Sequence, residues 1–395
     1  MTISVRTNIV IAVVAFIVTT GGPTLVRGQM SLPKPCDGIG PQLTAALQAE
    51  AKSDWNTALT SYQEALRLKP TCAEASVNLG AVYNKLNQPE QAIAALQTAI
   101  NQNPALIAAH LNLGITYFRI QRYTSAIESL QKVIKVEPQN LQAQKLIALS
   151  LIALERFEEA SVQLEQIIKV KPDDGPSLLT LGQAYIHLKE YKKAASHLEH
   201  LVQLEPNTAK YHLIFGEALE NSGDSERAAG EFRLATKLDS KLAEAHYALG
   251  QALLKQGSPK DAAEEFQREL QINPAMVLAG YQLGKTYLQL GRVDESIAAL
   301  NKVLEVEPNF RPALESLGQA WLKKGVPQKA IDALERAVSL DPTWPDAQAL
   351  LGRAYSQAGR KEDARKAFET SQRLVNEERK RLEERIKSSS PKKNP

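Results

Sequence analysis

The chain has 395 residues, 44% of them hydrophobic and 6% aromatic, and its 47 Lys and Arg against 44 Asp and Glu leave a formal charge of +3. The hydrophobic share is enough for a packed core. From Arg379 onward seven basic residues face two acidic ones, so the remainder of the chain carries −2, and a near-neutral body argues against nucleic acid as the main ligand.

Residues 1–28 read as a secretory signal peptide. Arg6 is a short basic lead, Ile9 to Val18 is an unbroken apolar run, Gly21-Gly22-Pro23 breaks it, and Val26-Arg27-Gly28 sets a cleavage site after about Gly28. The alternative is an uncleaved membrane anchor, although the run is short for a span of about 20 residues. A lipid anchor is not supported, because Leu32-Pro33-Lys34-Pro35 places no small residue before Cys36. Export to the periplasm or the extracellular space is therefore expected. Residues 29–38 are a Pro-rich lead-in.

From residue 39 to 378 the chain repeats every 34 residues, ten times. A closing proline stands at Pro70, Pro104, Pro138, Pro172, Pro206, Pro274, Pro308 and Pro342, with Ser240 in its place once. Each repeat reads as two helices. In repeat 8, Leu283, Tyr287 and Leu290 mark one apolar face, and Ile297, Leu300, Val303 and Leu304 mark the next. A glycine recurs inside the first helix at Gly80, Gly114, Gly182, Gly216, Gly250, Gly284, Gly318 and Gly352, with Ala148 in repeat 4. Glycine there costs about 1 kcal/mol against alanine, so close approach of two antiparallel helices is expected. A small residue recurs in the second helix from Ala58 to Ala364, with Ser296 in repeat 8. Gly223, Gly257, Gly291, Gly325 and Gly359 suit left-handed caps between the two helices. Repeat 1 is degenerate, with Ala46 and Ala49 at the motif positions, and repeat 4 is almost wholly apolar from Lys145 to Leu154. After repeat 10 no proline stops the second helix, which should run on to about Lys387 as a polar cap, with Glu377/Arg381, Arg379/Glu383 and Glu383/Lys387 spaced for i,i+4 pairing. Residues 379–395 comprise the end of that helix and a disordered basic tail.

These features resemble the tetratricopeptide repeat, whose pattern is W-x2-L-G-x2-Y, A-x3-F and P. Repeat 8 matches with Leu283-Gly284, Tyr287, Leu300 and Pro308, and repeat 10 with Leu351-Gly352, Tyr355, Ala364 and Phe368. The family tryptophan is absent; Ser76, His110, His212 and His246 hold its place, where packing is the expected role. The resemblance implies an all-α, right-handed superhelical solenoid of about ten helix-turn-helix units with a long C-terminal capping helix. It also implies a groove lined by the second, fifth, ninth and twelfth positions of each first helix. That groove takes a protein or peptide partner. In repeats 2–4 it would include Val77, Ala81, Leu111, Ile115, Phe118, Leu149 and Ile152, an apolar stretch expected to be exposed for binding unless neighbouring helices bury it. In repeats 5–10 the ninth position runs Gln183, Glu217, Gln251, Lys285, Gln319 and Arg353.

No catalytic constellation stands out, and no cofactor is called for. Gly280 to Thr286 lacks the spacing and the preceding strand of a P-loop. His197 and His200 are i,i+3 but lack the further ligands zinc needs, so no metal site is read. The implied role is a binding scaffold rather than an enzyme. The alternative is an envelope assembly or export factor that supports polymer export or outer-membrane biogenesis. Cys36 and Cys72, the only cysteines, flank the first hairpin on one side and are expected to form a disulfide in an oxidising compartment; the alternative is two unrelated thiols.

Overall fold

The structure is a computed structural model, and it describes residues 36–389. The signal peptide, most of the lead-in and the last residues of the tail lie outside that range. The chain divides into two compact units, Met1–Pro206 and Asn207–Pro395. Among the described residues both are built of α-helices in antiparallel pairs, and none forms a strand.

In the first unit α1 (Gly40–Ala51) pairs with α2 (Trp55–Leu68), α3 (Ala73–Lys85) with α4 (Pro89–Gln102), and α5 (Ile107–Arg119) with α6 (Tyr123–Val136). The pairs α7 (Leu141–Ala153) with α8 (Phe157–Val170) and α9 (Gly175–His187) with α10 (Tyr191–Leu204) complete it. In the second unit α11 (Ala209–Ser222) pairs with α12 (Ser225–Leu238), α13 (Ala245–Lys255) with α14 (Pro259–Ile272), and α15 (Val277–Gln289) with α16 (Val293–Val306). There α17 (Arg311–Lys324) pairs with α18 (Pro327–Leu340), and α19 (Pro345–Gln357) with α20 (Lys361–Ser389). Odd-numbered helices are the first of each repeat and even-numbered ones the second. At 29 residues, α20 is the longest, and Arg379 and Glu383 pair on it at 3.9 Å.

The local signals act as chemistry requires. Asp54, Asn140, Asp174 and Asp224 cap α2, α7, α9 and α12 by accepting a backbone N–H three residues on. A Cβ added to Gly284 would sit 2.6 Å from Leu300 Cγ, and one on Gly250 would sit 2.6 Å from Phe266 Cε1, so these glycines set the close approach of the paired helices. Ser296 stands where the other repeats have alanine because its hydroxyl donates to the Gly284 carbonyl at 2.7 Å. The turn inside every hairpin has a left-handed residue at the same register. Glycine fills it in the second unit, from Gly223 to Gly359, whereas Ser53, Asn87, Gln121, Glu155 and Lys189 fill it in the first. These five are conformations that the glycine pattern alone did not reveal.

Repeat 7 departs from the register. With Ser240 replacing the proline, Glu244 adopts φ +70° and α13 starts late, at Ala245. The fully buried Glu269 carboxylate accepts from the N–H groups of Glu244 at 3.0 Å and Tyr247 at 3.3 Å, replacing the lost first turn. In the first unit Cys36 and Cys72 form the expected disulfide, with Cα atoms 4.8 Å apart and both sulfurs buried beside Ile39, Tyr62 and Ala75.

Candidate functional site

The apolar residues expected to line a groove in repeats 2–4 are core. Val77 and Ala81 have no exposed surface, Phe118 is 1% exposed, and Leu111, Leu149, Ile152 and Ile115 stay at or below 9%. The reason lies in how successive odd-numbered helices meet. Leu111, Ile115 and Phe118 of α5 share one cluster with Leu149 and Ile152 of α7 and with Ala184 of α9, so the side chains of one repeat cover those of the next. The first-unit odd helices also join through polar atoms: Asn84 donates to Thr116 Oγ1 at 2.8 Å, and Arg119 donates to the Asn84 carbonyl at 2.5 Å. The all-round apolar character of α7 therefore marks a helix buried on all sides, not a docking face. Gln183 is buried as well.

The polar half of the predicted row behaves differently. Glu217 and Gln251 are half-buried, and Lys285, Gln319 and Arg353 are exposed, all on odd-numbered helices of the second unit. Beside Glu217 of α11 stands Glu244, which the irregular start of repeat 7 presents. Burial, reinforced by Glu244, pushes the Glu217 carboxyl up to about 7. Burial, with Glu269 adding to it, raises Glu244 as well. No cation pairs with either carboxylate among the described residues. The adjacent Glu220 by contrast is engaged by Lys255 and by the Ser225 hydroxyl.

Next along the row, Gln251 donates to the Tyr247 hydroxyl at 2.7 Å. Tyr281 carries the Lys285 ammonium 5.5 Å above its ring and meets Phe310 edge-on at 5.4 Å. Arg311 pairs with Glu315 at 2.7 Å and stacks 4.3 Å over Trp344. The face thus runs from uncompensated acid at Glu217 and Glu244, past Tyr281, to cations at Lys285 and Arg353, with Tyr247 itself buried. Glu244 and Tyr281 hold second and fifth positions, which the resemblance assigns to the groove although neither residue was named, and Arg311 holds a first position, which it does not; Tyr247, at a fifth position, is buried.

The histidines of the tryptophan position pack as expected and are also tied. His110 donates from Nε2 to the Pro104 carbonyl at 2.9 Å, and His212 Nδ1 meets Glu231 at 2.6 Å. His197 stacks on Tyr185, whereas His200 meets Asp173 at 3.0 Å, so the i,i+3 pair does not converge. Cys36, Cys72 and Glu74 lie within 4.8 Å of one another, but the S–S bond consumes both thiols.

The fold and this face define an array of antiparallel helical hairpins with a 34-residue period. A family profile described as the Cilia and flagella-associated protein 70 C-terminal domain matches residues 39–248, more than half of the chain, and a tetratricopeptide repeat profile matches residues 253–320 and 322–380. The chain belongs to the tetratricopeptide repeat family. Among solved structures it is similar to MamA from Desulfovibrio magneticus RS-1, at 25% identity over 44% of this chain and 96% of that one, with a TM-score of 0.40. It is also similar to YrrB, described as a tetratricopeptide repeat protein with an unusual peptide-binding site, at 21% identity over 47% and 95%, with a TM-score of 0.43. A tetratricopeptide repeat protein from Parabacteroides merdae is similar at 16% identity over 63% and 98%, with a TM-score of 0.44. No curated protein matches the chain.

Proposed function

We propose that the chain is a protein-binding scaffold that holds an extended peptide segment along the odd-helix face of its second unit, with a basic side chain seated between Glu217 and Glu244. The observation that carries this reading is the pair of half-buried carboxylates with no cation of their own. Keeping two acids desolvated and side by side destabilises the free protein, and an incoming Lys or Arg removes that cost by supplying charge and hydrogen bonds. Tyr281 and the stacked Arg311–Trp344 pair extend the face with aromatic area. Binding, not turnover, is the role this supports.

The apolar run before Gly28 and the disulfide support an exported protein, since such bonds persist in oxidising compartments. A part in envelope assembly or polymer export is the narrower form of the same reading, and crosslinking with identification of the captured partner tests it.

Fluorescence anisotropy with labelled Lys/Arg-containing and Asp/Glu-containing peptides tests the binding mode. The basic set is expected to bind, to weaken at least about tenfold in Glu217→Gln/Glu244→Gln, as for loss of a charge-assisted hydrogen bond, and to weaken on acidification through pH 7. Equal binding of both sets, or an unaffected double variant, would refute it.

A further inference from the structure

A second site lies away from that face, between α14, α15 and α16. A cavity of about 440 Å³ opens there, walled by Leu270, Met276, Val277, Tyr287, Ala299 and Val303. Its origin is legible in the repeat register. The fourth position of most repeats holds a buried side chain. Leu178 and Leu314 have no exposed surface there. Gln144 reaches the Pro138 carbonyl at 2.7 Å. In repeat 7, His246 meets the Ser240 carbonyl at 3.1 Å and Glu265, nineteen residues on, at 2.5 Å. His212 and Glu231 form the same pairing in repeat 6.

In repeat 8 both partners are missing: Gly280 replaces the histidine and Ala299 replaces the glutamate. Gly280 is not free to be larger, because a Cβ there would come 2.7 Å from Val303 Cγ2. Val303 therefore takes up part of the space that the histidine–glutamate pair occupies in repeats 6 and 7, and the remainder, beside Ala299, is open, mainly apolar, and lined also by Gln267 and Gln271. The cavity falls within the range of about 300–1,000 Å³ typical of small-molecule sites. It is also larger than the apolar cavity of about 150 Å³ known to admit benzene.

Charge at the rim selects among occupants. The Glu295 carboxylate is held by Arg292 at 2.6 Å. Lys302 lines the same opening and has no ion-pair partner among the described residues. We infer that this cavity binds a small amphiphilic anion, its apolar body filling the space beside Ala299 and its single anionic group facing Lys302. A neutral apolar side chain from a partner protein would fill the walls but leave Lys302 unused.

Fluorescence titration of the full chain with anilinonaphthalene sulfonate, and with neutral phenylnaphthylamine as the uncharged counterpart, tests the inference. The sulfonate is expected to bind saturably at one site per chain. Ala299→Trp should abolish that binding while helical content and melting temperature hold, since Ala299 lies on a half-buried face whose equivalents are glutamates in repeats 6 and 7. Lys302→Ala, a surface change that leaves packing alone, should weaken the sulfonate about threefold, the size of an exposed ion pair, and leave the neutral probe unchanged. Unsaturable binding, or sulfonate binding retained by Ala299→Trp, would overturn the site. Equal sulfonate affinity in Lys302→Ala and the parent chain would overturn the assignment of an anion.

Discussion

The Glu217→Gln substitution isolates the cost of the proposed peptide site. The change preserves shape and removes only the charge. Glu217 is half-buried beside Glu244, and its carboxyl is pushed from the ordinary 4.5 up to about 7, first by burial and then by Glu244. At about 1.4 kcal/mol per pH unit, that displacement is worth about 3 kcal/mol. The sign follows from linkage: the folded chain holds this proton more tightly than the unfolded chain, so the group favours folding relative to its ionised state below the unfolded value. That advantage is lost as pH rises through about 7. Glutamine should therefore stabilise the second unit, and the gain should be about 2 kcal/mol larger at pH 8.5 than at pH 5.5. Repeat arrays open locally, so hydrogen exchange of the full chain is the suitable assay, comparing variant and parent at the same pH over α11 and α13. Protection there should rise in the variant, more at the higher pH. Equal protection at both pH values, or a loss at pH 8.5, would refute the claim that Glu217 carries an uncompensated buried charge.

Three further outcomes are expected. Lys189→Gly and Gln121→Gly should each stabilise the first unit by about 1 kcal/mol, because both residues hold a left-handed backbone that glycine adopts without strain, and thermal melts would show it. Reducing the Cys36–Cys72 bond opens a loop with a sequence separation of 36, worth up to about 4 kcal/mol in the chain-entropy account; α1 and α2 should lose exchange protection while α5 onward keeps it. Phe118→Asp should unfold the surrounding hairpins, at a cost of at least about 4 kcal/mol for a fully buried aromatic, so circular dichroism should register lost helix before any binding assay is informative. A folded Phe118→Asp chain would restore the exposed groove expected in repeats 2–4.

The candidate site was half legible. The ninth-position row is read by stepping through the repeats, and its members Glu217, Gln251 and Lys285 sit half-buried or exposed on odd-numbered helices of the second unit. Its apolar counterpart was misplaced because hydrophobic residues at groove positions look alike whether they meet solvent or the next repeat. Glu244 holds a second position, which the repeat pattern assigns to the groove, but its pairing with Glu217 depends on the left-handed backbone that Glu269 stabilises from a different helix.

What the sequence determined by itself is whatever depends on one repeat or on one step of 34. The hairpins, the close-packed glycines opposite Leu300 and Phe266, the left-handed glycine turns of the second unit, and the pairing of Cys36 with Cys72 are of this kind. Each is set by local backbone preference or by contact within a single hairpin, and periodicity reports those directly. The tertiary structure alone decided the burial of Phe118 and Ile152, the shared desolvation of Glu217 and Glu244, and the cavity beside Gly280. These depend on the size and charge of side chains that adjacent repeats bring against one another, a property of pairs of positions that a repeating pattern does not carry.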